Sequence, residues 1–191
     1  VISQIATKSN AENEGTVAGK GGDIFIKAGE LILKDGGQIA TGSMAGQSRQ
    51  SQDSGNLTLQ INGTVKMSGV NPYGENATGF GSGIYATSRG LEGNTGKAGQ
   101  ITLQAENLII EDGAVIKTST NNDAPGGNLK IDIKDTIRIS GDASQILLQP
   151  PALQQIAYLQ NFSPRRYNQS TSGIYASSEG TMERAGPSGN L

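Results

Sequence analysis

Four segments of this chain repeat one pattern, and that internal repetition limits what it can fold into more than any other feature. Gly22-Asp23-Ile24-Phe25-Ile26-Lys27-Ala28 is followed by Leu31-Ile32-Leu33-Lys34-Asp35-Gly36. Gly55-Asn56-Leu57-Thr58-Leu59-Gln60-Ile61 precedes Val65-Lys66-Met67-Ser68-Gly69. Gly99-Gln100-Ile101-Thr102-Leu103-Gln104-Ala105 precedes Leu108-Ile109-Ile110-Glu111-Asp112-Gly113. Gly127-Asn128-Leu129-Lys130-Ile131-Asp132-Ile133 precedes Ile137-Arg138-Ile139-Ser140-Gly141. A third element follows each pair: Gln38-Ile39-Ala40-Thr41 in the first unit and Val115-Ile116-Lys117-Thr118 in the third. In the second and fourth it is delayed, as Ser82-Gly83-Ile84-Tyr85-Ala86 and Ser172-Gly173-Ile174-Tyr175-Ala176. The opening Gln4-Ile5-Ala6-Thr7 matches this third element, so residues 1–19 are expected to finish a unit.

Each element alternates apolar and polar residues, the period of a strand with one buried face. Strands this short are unstable alone. Stacking equivalent strands in parallel, one unit above the next, solves that. The residues expected to point inward are Ile24, Ile26, Ala28, Leu31, Leu33 and Ile39 in the first unit. Those of the second are Leu57, Leu59, Ile61, Val65, Met67 and Ile84. The third contributes Ile101, Leu103, Ala105, Leu108, Ile110 and Ile116, and the fourth Leu129, Ile131, Ile133, Ile137, Ile139 and Ile174. The fold expected is all-β: a parallel β-solenoid of about four coils, three short strands per coil, with long loops. Aromatics are only 4% of the chain and Trp is absent, which suits a narrow aliphatic interior.

The unit starts Gly22, Gly55, Gly99 and Gly127 lie 33, 44 and 28 residues apart. The girth of a coil cannot vary that much, so the surplus is expected in loops that leave it. From the first inward residue to the second strand is 7 positions in units one and three and 8 in units two and four. The expected organisation is a single β-helix body: a partial coil 1–21, coils 22–54, 55–98, 99–126 and 127–187, and the start of another at 188–191. Asp35-Gly36-Gly37 and Asp112-Gly113 read as corners that tolerate left-handed backbone. A calcium loop is the alternative, but the acids come one per coil rather than in a D-x-D-x-D array.

The loop insert 143–171 differs in kind. It carries Ile146-Leu147-Leu148, Pro150-Pro151 and apolar positions 153, 156, 157 and 159, spaced for one or two helical turns. Phe162, Arg165, Arg166 and Tyr167 in it are the candidate contact surface, suited to a carboxylated sugar, a phosphate or a partner protein. Loops on a rigid scaffold are where binding groups tend to sit; the bland alternative is an insert packed on the coil's flank.

The chain has no Cys and no His, which excludes thiol and imidazole chemistry and Cys/His zinc sites. A net charge of −2 gives no general attraction to nucleic acid or anionic lipid. No apolar run is long enough for a transmembrane helix. Val1-Ile2-Ser3-Gln4 is not a signal peptide, and the chain is expected to be a piece of a longer repetitive protein. Glycoside hydrolysis needs two carboxylates facing one substrate, whereas Glu106, Glu111, Asp132 and Asp135 are scattered and form no repeated pair. No G-x-S-x-G elbow occurs, and Gly79-Phe80-Gly81-Ser82-Gly83 lacks the sequel of a phosphate loop. No catalytic residue, cofactor or metal is therefore expected. Glycosylation triplets at Asn62, Asn76, Asn161 and Asn168 matter only in a glycosylating host.

The order G-x-I-x-L-x-A…L-x-I-x-D-G…I-x-T, as in Gly99–Ala105, Leu108–Gly113 and Ile116–Thr118, resembles the repeats of filamentous-haemagglutinin-type exoproteins. The Ser/Gly-rich loops and the phrase Ser82-Gly83-Ile84-Tyr85-Ala86 are similar to large surface proteins of cyanobacteria. The resemblance covers about residues 1–142 and 172–191 and excludes the insert. It implies a right-handed parallel β-helix, two-partner secretion through an outer-membrane transporter barrel, a secreted or cell-surface location, and attachment to a host, glycan or matrix surface. It supplies no catalytic residue. The expected function is a non-catalytic structural and adhesive segment; the alternative is a carbohydrate-binding or polysaccharide-processing β-helix.

Overall fold

The computed structural model describes residues 3–11, 16–45, 50–70, 81–90, 95–121, 123–143, 171–179 and 185–191. In chain order the strands are β1 (Gln4–Ala11), β2 (Val17–Ala18), β3 (Ile24–Ala28), β4 (Leu31–Lys34), β5 (Gln38–Ala45), β6 (Gln50–Ser51) and β7 (Leu57–Ile61). They continue with β8 (Thr64–Ser68), β9 (Gly83–Arg89), β10 (Ile101–Glu111), β11 (Val115–Asn121), β12 (Leu129–Ser140) and β13 (Gly173–Ser178).

All the ladders between these strands are parallel, and each joins a strand to its counterpart one coil away. One sheet runs β1-β5-β9-β11-β13 and stacks the third element of every unit. The other stacks the first and second elements, β3-β7-β10 and β4-β8-β10, with β12 pairing β10 along its length. The fold is a right-handed parallel β-helix. Register is residue for residue: Ile24, Leu57, Ile101 and Leu129 share one column, and Leu31, Val65, Leu108 and Ile137 another. Like side chains lie on like because equivalent residues of successive coils are hydrogen-bonded neighbours.

These columns form the core. Leu57, Leu59, Val65, Met67, Ile84, Ile101, Leu103, Leu108, Ile110 and Ile116 are fully buried. Each such side chain contributes roughly 1.5–3 kcal/mol of burial. Of the residues expected inward, Ile137 and Ile139 are corrected: they hold their register against Leu108 and Ile110 but are 54% and 43% exposed. No described strand pairs with β12 on its far side, so these two side chains have a neighbour on one flank only.

Two features go beyond the expected pattern. The third strands are longer than their apolar stretch; β5 and β11 run on into Ser43-Met44-Ala45 and Ser119-Thr120-Asn121. Inward Ser43 of β5 and Ser88 of β9 face a short additional sheet, β2-β6, which the isolated bridge Ser51–Thr95 extends, while Thr120 of β11 donates to Ala124 O. Ser43 Oγ donates to Ala18 O at 3.3 Å and Ser88 Oγ to Gln52 O at 3.0 Å, so this second compartment is hydrogen-bonded where the first is apolar. Moreover, β10 and β12 pass unbroken through the corner that separates β3 from β4. The inward parity switches there, and the extra residue of the fourth unit is absorbed as a register shift opposite Ala105–Asn107.

The corner before each first strand carries a glycine column: Gly22, Gly55, Gly99, Gly127 and Gly189. A Cβ on Gly55, Gly99, Gly127 or Gly189 would lie 1.8–2.0 Å from the carbonyl oxygen of the preceding member. Close approach of backbone to backbone therefore selects glycine here. Buried threonines of β5 and β11 tie this corner down. Thr41 Oγ1 donates to Gly22 O at 2.8 Å and accepts from Gly55 N at 3.0 Å, and Thr118 Oγ1 donates to Gly127 O at 2.6 Å.

Candidate binding surface

The sequence candidates Phe162, Arg165, Arg166 and Tyr167, and the helical turns expected around residues 153–159, lie outside the described residues. Asn76, Asn161 and Asn168 do as well; Asn62 is exposed. The surface that can be built from the residues upward is the outer face of the coil.

Alternation places every second residue of the first strands outward, in columns. Phe25, Thr58, Thr102 and Lys130 form one; Lys27, Gln60, Gln104 and Asp132 form the next. On the second strands the outward column is Ile32, Lys66, Ile109 and Arg138. Glu111 beside it is held between two cations: its carboxylate meets Lys66 Nζ at 3.5 Å and pairs with Arg138. Its side chain is 16% exposed while the cations are largely solvated, so each bond is worth at most about 1 kcal/mol.

The glycine corner presents a second polar strip. Asp23, Asn56, Gln100, Asn128 and Asn190 occupy the position after each glycine, and the side chains of Asp23, Asn56 and Asn128 reach along the axis. Asp23 Oδ1 accepts from Asn56 N at 2.7 Å, Asn56 Oδ1 from Gln100 N at 2.9 Å, and Asn128 Oδ1 from Asn190 N at 3.0 Å. The ladder engages the oxygen of Asn56 and Asn128, which leaves their NH₂ groups as the outward-facing donors. Lys20, Asp53 and Lys97 stand two positions before the glycines, and Asp53 Oδ1 accepts from Lys97 N at 2.8 Å. Lys20, Asp53, Asn56, Lys97, Gln100 and Asn128 line an open groove of about 390 Å³ that crosses several coils. A second groove of about 380 Å³ lies over Lys27, Gln60, Gln104, Asp132 and Lys134. Both offer donors, acceptors and charges of either sign, the equipment for hydrogen-bonding a polar ligand.

Phe25, Tyr85 and Tyr175, which strand alternation would turn outward, do not form a row. Phe25 is 63% and Tyr175 39% exposed, but Tyr85 is 3% exposed. Burial pushes the Tyr85 phenol well above its ordinary range, and its hydroxyl donates to Gly81 O at 2.8 Å. Lys117 separates the two tyrosines in the same column and pairs with Glu179. Lys8, one column further along the sheet, has its pKa lowered by burial and then by the nearby Arg89.

Asp35 and Asp112 sit at φ 53°, each followed by a glycine at φ 86° or 85°. Gly37 N donates to Lys34 O at 2.9 Å and Ala114 N to Glu111 O at 3.0 Å, which closes the two-residue turns expected of Asp-Gly. Among the described residues no group of three or more Asp or Glu is placed to hold a metal ion, and no helix is long and apolar enough to cross a membrane. Compared with known proteins, the chain matches no family model, no curated protein and no solved structure.

Proposed function

We propose that the chain is a non-catalytic structural and adhesive segment of a large secreted or cell-surface protein of filamentous-haemagglutinin type. Such a parent would be exported through an outer-membrane transporter barrel and would attach to a host, glycan or matrix surface. One observation carries the reading. Insertions of very different length leave between the second and third strands of two coils, yet β9 and β13 rejoin the column of β5 and β11 without a register change. A body whose path is indifferent to what it carries is a scaffold for loops, and repetition extends it into a rod.

The test is a glycan and matrix-protein binding screen on the whole chain and on a version lacking residues 143–171. Binding that disappears with the insert, and with Arg165→Ala plus Arg166→Ala, supports the adhesive role of Phe162, Arg165, Arg166 and Tyr167. Unchanged binding removes the insert from that role. Absence of any binding counts against adhesion.

The carbohydrate-binding alternative is favoured by the groove at Lys20, Asn56, Lys97 and Asn128, where donors line up along the axis. Binding lost in Lys20→Ala/Lys97→Ala but kept without residues 143–171 would select it. Polysaccharide processing has no such support: it needs paired carboxylates, and Glu111 is engaged with Lys66 and Arg138.

A further inference from the structure

The phrase Ser-Gly-Ile-Tyr-Ala occurs only in the two units whose third strand is delayed. In both it sits at the same place in the coil. Asp35, Gly69, Asp112 and Gly141, the residues that follow the second strand, share one left-handed conformation, with φ of 53°, 75°, 53° and 74°. In units one and three the chain then completes an Asp-Gly turn and enters the third strand. In units two and four it departs at Val70 and Asp142 and returns at Gly81 and Thr171. Antiparallel bridges Val70–Gly81 and Asp142–Thr171 bring the departing and returning chains side by side.

The returning residues replace what the missing turn would have supplied. Ser82 N donates to Gly69 O at 2.9 Å and Ser172 N to Gly141 O at 3.3 Å. Ser82 Oγ donates to Ser68 O at 2.7 Å. Ser68 is the counterpart of Lys34, whose carbonyl is satisfied in the tight coil by a backbone N–H. The same serine oxygen accepts from Gly36 N at 2.9 Å, and Ser172 Oγ accepts from Gly113 N at 3.0 Å, so each serine also engages the turn of the preceding coil. The tyrosine two residues beyond the glycine folds back over it. A Cβ on Gly173 would lie 2.5 Å from Tyr175 Cζ, and one on Gly83 would meet Val115 O at 2.1 Å as well as Tyr85 Cε2 at 3.1 Å. The hydroxyls then reach the returning strand: Tyr85 to Gly81 O at 2.8 Å, Tyr175 to Thr171 O at 3.5 Å. In the tight coils the tyrosine position is Ala40 or Lys117, and neither folds over a glycine.

We infer that Ser-Gly-Ile-Tyr-Ala is an insertion neck, a local device that closes the coil beneath an inserted segment so that its length and sequence no longer matter to the β-helix. It builds on the display reading above and names the residues that permit display. The three parts have separate duties. Serine supplies the turn's lost hydrogen bonds, glycine makes room for the ring and, at Gly83, also for the carbonyl of the next coil, and tyrosine braces the returning chain.

Transplanting the neck tests it. In one full-length variant, residues 113–117 are replaced by a copy of residues 70–85, which places an insertion and its neck in the third coil. In a second, a copy of residues 70–81 replaces Gly113 alone, with Ala114, Val115 and Lys117 retained. Hydrogen exchange of the amides of β11 is the readout. The complete transplant should stay within about threefold of the native rate, and the neckless one should exchange at least about tenfold faster. In the native fourth coil, Ser172→Ala with Tyr175→Phe should speed exchange at Ser172 and Gly173 by a similar factor. Equal protection in both transplants, loss of protection in both, or an unaltered rate in the fourth coil would overturn the assignment. Exchange is measured without ligand, so a negative binding screen leaves the neck standing, and failure of the neck leaves the display reading to its own test.

Discussion

Replacing Gly99 by Ala separates backbone crowding from backbone flexibility as the reason for the glycine column. The added Cβ would lie 1.8 Å from Gly55 O, whereas ordinary contact begins near 3.4 Å. The corner must therefore open by about 1.6 Å, the difference of those two distances. Two rungs with donors on buried residues flank it: Ser54 N to Lys97 O and Leu57 N to Gln100 O, both at 2.9 Å. A shift of that size carries them past hydrogen-bonding distance. Each buried group left without a partner costs about 1–3 kcal/mol, so the sum is roughly 3 kcal/mol or more. For a chain of this length that lowers Tm by about 6–12 °C. Gly29→Ala is the control, because nothing lies within 4 Å of its Cβ. There the loss of unfolded-state freedom should leave stability equal or raise it by about 0.5 kcal/mol. Thermal melting followed by circular dichroism reads both. A Gly99→Ala protein that melts with the wild type would refute the crowding argument, whatever Gly29→Ala does.

Three other perturbations probe the remaining layers. Leu103→Ala empties a site between Leu59 and Ile131 in its column and should cost about 2–5 kcal/mol in urea unfolding; a loss under 1 kcal/mol would mean the column is not close-packed. Thr118→Val keeps the shape but removes the donor to Gly127 O, with an expected cost of about 1–3 kcal/mol, while the same change at exposed Thr136 should be nearly silent. The buried Tyr85 phenol has its pKa raised in the folded state, so the unfolded chain loses that proton first as pH passes about 10. The stability it contributes is complete below that pH and declines above it, and Tyr85→Phe should flatten the alkaline loss. An absorbance titration in which every tyrosine ionises at the ordinary pH while the fold persists would contradict the burial.

Much of the architecture was readable one residue at a time. Alternation with period 2, repeated at equivalent positions, dictates which side chains face inward, because a strand slipped by one residue would expose its whole aliphatic set. That logic correctly assigned the fully buried columns through Leu57, Leu103 and Ile116. Asp-Gly at 35–36 and 112–113 announced the corners by the same kind of local necessity, since few residue pairs accept two left-handed conformations in succession. It could not foresee Ile137 and Ile139, whose exposure is set by which strands stand beside β12 rather than by their own sequence. Nor could it foresee Tyr85, outward by alternation yet buried.

The primary structure by itself determined a parallel stack of aliphatic rungs, for a physical reason that acts along the chain: side chains alternate, and repeats of the same alternation bury one another. Only the tertiary structure decided what lies across the chain from each residue. It showed that Gly99 is needed because Gly55's carbonyl passes beneath it, and that Thr41 and Thr118 anchor a corner many positions away. It also showed that Ser82 and Tyr85 form one neck with Gly69, Val70 and Gly81. Such contacts join residues brought together by winding, and no spacing in the sequence encodes the distance between successive turns of a coil.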